Sequence, residues 1–217
     1  PEIPAIPGLR IDTFYATPET AEIGGDWFDV FVLSDRLIGL SIGDVTGHGL
    51  RAAAVMGFVR QALRIVARRE HDPTVVIADV NEILCADERG IIVTAFFGLF
   101  DRERGTLTYT LAGHGAPFVA TRGAGIAPLE GSGLLLGVDP AARFNRYERQ
   151  LVPGDSLILY TDGIVEADRN YLEGMRDLET AIANELRDPA PNIAAGIHQR
   201  VFHDRLPRHD SALLTLT

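Results

Sequence analysis

Lysine is missing altogether: all 20 basic residues among the 217 are arginine, set against 30 aspartates and glutamates for a net charge of −10. So acidic a balance leaves no electrostatic footprint for a phosphate backbone, which argues against nucleic acid and anionic membrane as partners. Cysteine occurs once. Cys85 therefore cannot form an intrachain disulfide, and its apolar neighbours Ile83, Leu84 and Ala86 read as helix core rather than as the setting of a reactive thiol. A reducing, cytoplasmic environment is the expectation. Long hydrophobic runs are lacking too: the strongest, Ile91 to Phe100, has half of the roughly 20 residues a membrane-spanning helix needs. No charged-then-apolar leader opens the chain, and Pro1 stands in place of a methionine, so the expectation is a piece cut from a longer multidomain protein. The length fits one domain, with residues 1–217 forming a single unit.

What is present is a run of strands, then helices, then strands again. Leu9 to Ala16 alternates as a strand. Trp27 to Leu33 and Arg36 to Ile42 read as a hairpin turning at Ser34-Asp35. Leu50 to Arg69 carries Leu50, Ala53, Ala54, Val55, Phe58, Ala62, Ile65 and Val66 near helical spacing, with arginines on the other face. A second helix, Val75 to Ala86, follows Asp72-Pro73, an N-cap with proline in the first turn. Strands are then expected at Val93 to Phe100, Thr106 to Leu111, Phe118 to Thr121, Phe144 to Leu151 and Ser156 to Tyr160. Helices near Leu172 to Leu186 and Asn192 to Phe202 precede a last strand, Ser211 to Leu216. Hairpin-length links imply antiparallel pairing, and the grouping implies an α+β layered domain with sheets central and helices outside.

Four acids stand at the ends of these strands. Asp26 follows Gly24-Gly25, Asp44 lies in Gly43-Asp44-Val45-Thr46-Gly47-His48-Gly49 between a strand and a helix, Asp162 follows an apolar strand and precedes Gly163, and Asp210 adjoins the final strand. Four acids so placed can converge on one cleft and hold metal. The glycines beside them allow close backbone approach or positive φ. The loop is no P-loop, since Gly47-His48-Gly49 lacks the Gly-Lys-Ser/Thr ending.

Together and in order, Gly24-Gly25-Asp26-Trp27-Phe28-Asp29, Gly43 to Ala53, Ala112-Gly113-His114-Gly115, Tyr160-Thr161-Asp162-Gly163 and His209-Asp210-Ser211-Ala212-Leu213-Leu214 resemble the metal-dependent protein phosphatases of type 2C. Within these they resemble the bacterial branch of the sporulation stage II E and stress-response sigma-factor phosphatases. The resemblance spans nearly the whole chain. It implies a central antiparallel β-sandwich flanked by helices in α-β-β-α layers, a centre of two Mn²⁺ or Mg²⁺ ions, and hydrolysis of phosphoserine or phosphothreonine by direct attack of metal-bound hydroxide, without a phosphoenzyme. The implied substrate is a phosphorylated anti-sigma-factor antagonist, and homodimerisation is implied through sensor or linker segments preceding such a domain. Asp44 would bridge both ions, the Val45 carbonyl would contact one, and Asp26, Asp162 and a terminal acid would complete the set. Hard divalent cations prefer oxygen, which suits carboxylates and a backbone carbonyl better than cysteine or histidine.

The tail departs from the family pattern of two acids. His209 takes the first position and Asp210 the second, so the last ligand is the Asp210 carboxylate or the His209 nitrogen, or the site is weakened there. Asp210 is the residue we assign. A weakened site would leave a phosphatase-fold signalling module that binds its partner without dephosphorylating it. The phosphate-holding arginine of eukaryotic relatives has no counterpart, since Glu22 and Ile23 occupy that stretch. Arg51 reads as an exposed helix residue before it reads as a phosphate anchor. His48 and His114 read as loop hydrogen-bonding residues rather than acid–base groups, and His71, His198 and His203 follow no metal-ligand spacing. Met56 and Phe58 are expected in the core, Trp27 is expected to pack, and Asp29 is either beside the ligands or a solvated strand position.

Overall fold

A computed structural model describes the chain except residues 1–2, 19–23, 88–89, 122, 124, 167–169, 204, 206 and 208. Among the described residues the order is β1 (Ile11–Ala16), β2 (Trp27–Val32), β3 (Leu37–Val45), α1 (Leu50–Ala67), α2 (Pro73–Asp87), β4 (Val93–Asp101), β5 (Thr106–Ala112), β6 (Phe118–Thr121), β7 (Gly125–Pro128), β8 (Tyr147–Gln150), β9 (Ser156–Tyr160), a 3-10 turn (Asp162–Ile164), α3 (Tyr171–Arg187), α4 (Ile193–Phe202) and β10 (Ser211–Leu216). Two five-stranded antiparallel sheets and four helices make an α+β fold, as the grouping of strands and helices in the sequence implies. The chain divides into two compact units.

The first unit comprises Pro1–Pro4, Glu22–Ala116 and Glu130–Val152 and holds the sheet β2-β3-β4-β5-β8 with α1 and α2. Its opening hairpin forms because the Ser34 hydroxyl accepts from the backbone N–H of Arg36 (3.3 Å) and Leu37 (3.0 Å), closing the turn with a side chain. Antiparallel register then sets Trp27 opposite Gly43 and, on the next pair of strands, Asp44 opposite Thr94. Helix α2 starts as expected: the Asp72 carboxylate accepts from the Thr74 N–H at 2.9 Å. On α1 the buried stripe is Ala52, Val55, Val59, Ala62, Leu63 and Ala67. Phe58, read as core, is instead exposed along with Leu50 and Ile65. The apolar set on α1 is wider than one packing face, and the smaller residues take the side against the sheet. Met56 packs against the core as expected, and Trp27 is buried in it.

The second unit comprises Ala5–Ala21, Pro117–Leu129 and Pro153–Thr217, with the sheet β1-β10-β9-β6-β7 and helices α3 and α4. Strand β7 is absent from the sequence reading because four residues with a glycine and a proline carry no strand signal. Proline is tolerated there because β7 is an edge strand bonded only to β6. Both helices are capped by asparagine, Asn170 accepting from Glu173 N–H (3.4 Å) and Asn192 from Ala195 N–H (2.8 Å). Glu185 fastens them together. Its buried carboxylate accepts from Arg200 Nε at 2.8 Å and from the Ala190 N–H at 2.6 Å. Glu185→Gln should lower stability by about 2 kcal/mol, read as a shift in the urea midpoint, because a charge-assisted bond becomes a neutral one at a buried position.

His198 of α4 stacks on Phe202 and meets Phe14 at a 39° tilt, with ring centroids 4.4 and 4.3 Å away. Nε2 is buried without a hydrogen-bond partner. Desolvation in this apolar sandwich pushes its pKa down to about 4, from 6.5. The unfolded chain therefore binds a proton that the folded chain refuses between those values. Stability contributed by the neutral ring is complete above about pH 6.5 and is lost as pH falls toward 4. The loss should be about 1.5 kcal/mol after allowing for a half-exposed ring, and His198→Phe should flatten it in thermal melts taken across that range.

Candidate metal centre

In the first unit, strand β3 does not end at Ile42 but runs through Asp44 to Val45. The ladder is what carries it on. Val45 N–H donates to the Gly25 carbonyl at 3.3 Å and Thr46 N–H to the Ile92 carbonyl at 2.9 Å. Asp44 is thus fixed by partners on two sides rather than suspended in a loop. Gly25 makes this approach possible: a Cβ there would stand 2.5 Å from the Val45 carbonyl oxygen and 3.1 Å from Asp44 Oδ1. The same contact places the Val45 carbonyl region and the Asp44 carboxylate around one point.

Asp26, only 4% exposed, and the half-buried Asp44 bring carboxylate oxygens within 4.8 Å of each other. Two like charges held this close, one of them away from water, repel unless a cation lies between or beside them. An all-oxygen donor set of two carboxylates with a nearby backbone carbonyl is what Mg²⁺ and Mn²⁺ select. The residues present fit such an ion.

In the second unit, Asp162 and Asp210 are brought together by backbone contact. Thr161 extends the ladder between β9 and β10: its N–H donates to the Ala212 carbonyl at 3.0 Å, and its hydroxyl accepts from Ala212 N–H at 2.8 Å. The 3-10 turn that begins with Asp162 then lies on the start of β10, and a Cβ on Gly163 would run into the Asp210 carbonyl. Asp162 is exposed and Asp210 half-buried, while His209 is exposed.

The other sequence candidates fall as follows. His48 and Arg51 are exposed in the loop and on the first turn of α1. His114 Nδ1 lies 3.0 Å from Thr94 Oγ1, a bond to strand β4 rather than one within the loop. Glu22 and Ile23 lie outside the described residues. Asp29 is not solvated: it is buried and held by Arg64, whose Nη2 donates to Oδ1 at 2.9 Å and whose guanidinium stands 5.2 Å from the centre of the Phe31 ring. The sequence reading did not find Arg64. The signal lay in strand alternation, which puts Asp29 on the same face as Trp27 and Phe31, where an unpaired carboxylate would be costly.

The family described as Stage II sporulation protein E (SpoIIE) matches residues 34–217. The chain belongs to that family. Among curated proteins, this SpoIIE-family chain is 25% identical over 185 residues to "Phosphoserine phosphatase RsbU" of Bacillus subtilis, covering 83% of this chain and 55% of that protein. The chain spans 33% and 55% of the length of the first two curated relatives it matches. Among solved structures, the RsbU and RsbW domains of Rv1364c from Mycobacterium tuberculosis superpose with a TM-score of 0.88 at 27% identity, covering 99% of this chain and 61% of that one. The PP2C phosphatase domain of SpoIIE from Bacillus subtilis superposes with a TM-score of 0.82 at 20% identity, over 96% of this chain and 62% of that one. The SpoIIE-family fold here is therefore of the PP2C type.

Proposed function

We propose that residues 1–217 form the catalytic domain of a metal-dependent serine/threonine protein phosphatase that hydrolyses phosphoserine or phosphothreonine on a phosphorylated anti-sigma-factor antagonist. The observation that carries this is the Asp26–Asp44 carboxylate pair, held within 4.8 Å in a SpoIIE-family chain. The name of the RsbU relative, a phosphoserine phosphatase, supports the choice of phosphoester. The ligands proposed for Mn²⁺ or Mg²⁺, two ions in all, are Asp26, Asp44 and the Val45 carbonyl from the first unit, and Asp162 and Asp210 from the second. Divalent ions bound there neutralise charge on the phosphoryl oxygens and make water nucleophilic near neutral pH. Asp26 and Asp44 arrive preorganised, since the backbone bonds that fix them already exist in the fold, so little ordering is left to accompany ion binding. Arg64 pairs with the neighbouring Asp29 carboxylate, so Asp29 is not proposed as a ligand.

No residue of the chain is phosphorylated in this reading; recovery of a labelled phosphoryl group on the chain during turnover would contradict it. The setting proposed is cytoplasmic, with dimerisation left to segments preceding the domain. Among the described residues no helix is long and apolar enough to cross a membrane. Phosphate release in Mn²⁺ from a phosphoseryl protein, a phosphotyrosyl protein and an aryl phosphate tests the assignment. The phosphoseryl protein should be the best substrate. Equal or faster release from the aryl ester would indicate a small-phosphoester hydrolase. Stoichiometric binding of the phosphoprotein without release would indicate the binding module that His209 raises, and His209→Asp should then restore turnover.

A further inference from the structure

Trp27 directly follows Asp26, Gly43 directly precedes Asp44, and the two face each other across the β2–β3 ladder. The indole lies so closely over Gly43 that a Cβ there would meet Cη2 and Cζ2 of the ring as well as the Thr94 carbonyl. Thr94 is in turn the β4 partner of Asp44. At its other end the indole Nε1–H donates to Ser41 Oγ at 3.2 Å, two residues back along β3 on the same face. Trp27 is 2% exposed and Ser41 1%. One rigid side chain thus spans β2 and β3 at the rung that adjoins both carboxylates.

We propose that Trp27 is a positioning residue that sets the spacing of the Asp26 and Asp44 carboxylates for the ion, an inference that rests on the metal centre proposed above. The indole is seated by Gly43 and fixed in rotation by Ser41, and a small shift of the ring would slide one strand end against the other. Groups that orient metal ligands without touching the ion commonly govern affinity by about 10–100-fold when removed. Trp27 is also the sole tryptophan of the chain, so the emission of the folded protein comes from this position alone.

Two variants separate this role from plain packing. Ser41→Ala removes the indole's acceptor and leaves the ring in place; Trp27→Phe keeps an aromatic ring but shortens it and deletes the donor. Mn²⁺ binding measured by calorimetry should weaken about 10-fold in each. It should weaken at temperatures where the far-ultraviolet circular dichroism of each variant matches the native chain. Mn²⁺ should also change the native tryptophan emission with the same midpoint that calorimetry gives. Native Mn²⁺ affinity retained in the variants, even with a lowered melting temperature, would overturn the positioning role and leave Trp27 as core, and so would native emission indifferent to saturating Mn²⁺. Failure of the native chain to bind Mn²⁺ at all would overturn this proposal and the metal centre together.

Discussion

Asp44→Asn is expected to lower Mn²⁺-dependent phosphate release by more than about 10²-fold, beyond the range seen when only an outer partner of a metal ligand is lost. The amide has nearly the shape of the carboxylate, so the β3–β4 pairing of Asp44 with Thr94 should survive and the fold with it. What changes is charge. Without metal, Asp26 and Asp44 oppose each other within 4.8 Å, so removing one charge should leave the apo chain equal to or more stable than the native. With metal the order reverses: Mn²⁺ should raise the melting temperature of the native chain by mass action and do little for the variant. Loss of activity accompanied by loss of apo stability would instead point to a structural role for Asp44.

Gly163→Ala is the second large effect. The added methyl would overlap the Asp210 carbonyl, and because that atom is backbone at the start of β10 it cannot swing aside as a side chain would. The turn bearing Asp162 must lift off β10. The cost should be about 3 kcal/mol, the upper part of the overpacking range. For a chain of this length that corresponds to a melting temperature lower by roughly 6–12 °C. Phosphate release should fall with it, since the displaced turn begins with a proposed ligand. Gly57→Ala is the matched control: a Cβ at Gly57, within α1, meets nothing within 4 Å, and the change should be neutral or stabilising by up to about 1 kcal/mol. Equal melting temperatures for both variants would contradict the steric argument.

Asp26, Asp44 and Asp162 stand out in the sequence because each adjoins a glycine near the end of an apolar strand, a place where a carboxylate has little structural reason to be; Asp210, between His209 and Ser211, carries no such signal. Where those acids sit in the ladder was less legible. Gly43-Asp44 reads as the end of a strand because both residue types are depleted in strands. Yet the Gly25 carbonyl and Thr94, distant in sequence, supply the partners that carry β3 on to Val45. Asp29 was ambiguous for a similar reason: its burial depends on Arg64, 35 residues later on a helix, and no local period reveals that partner. Phe58 misled because hydrophobic spacing gives the width of an apolar face, not the part of it that meets the sheet. The expected mix of antiparallel strands and helices held because runs of alternation and of helical spacing are decided locally, which strand-to-strand contacts are not.

The most direct test is phosphate release from a phosphoseryl protein by the native chain, assayed after chelation and again after Mn²⁺ is restored. The account predicts negligible release in chelator, recovery on adding Mn²⁺, and no recovery for Asp44→Asn. Release that persists in chelator, or that Asp44→Asn leaves unchanged, would contradict a phosphatase whose chemistry depends on ions held by the Asp26–Asp44 pair.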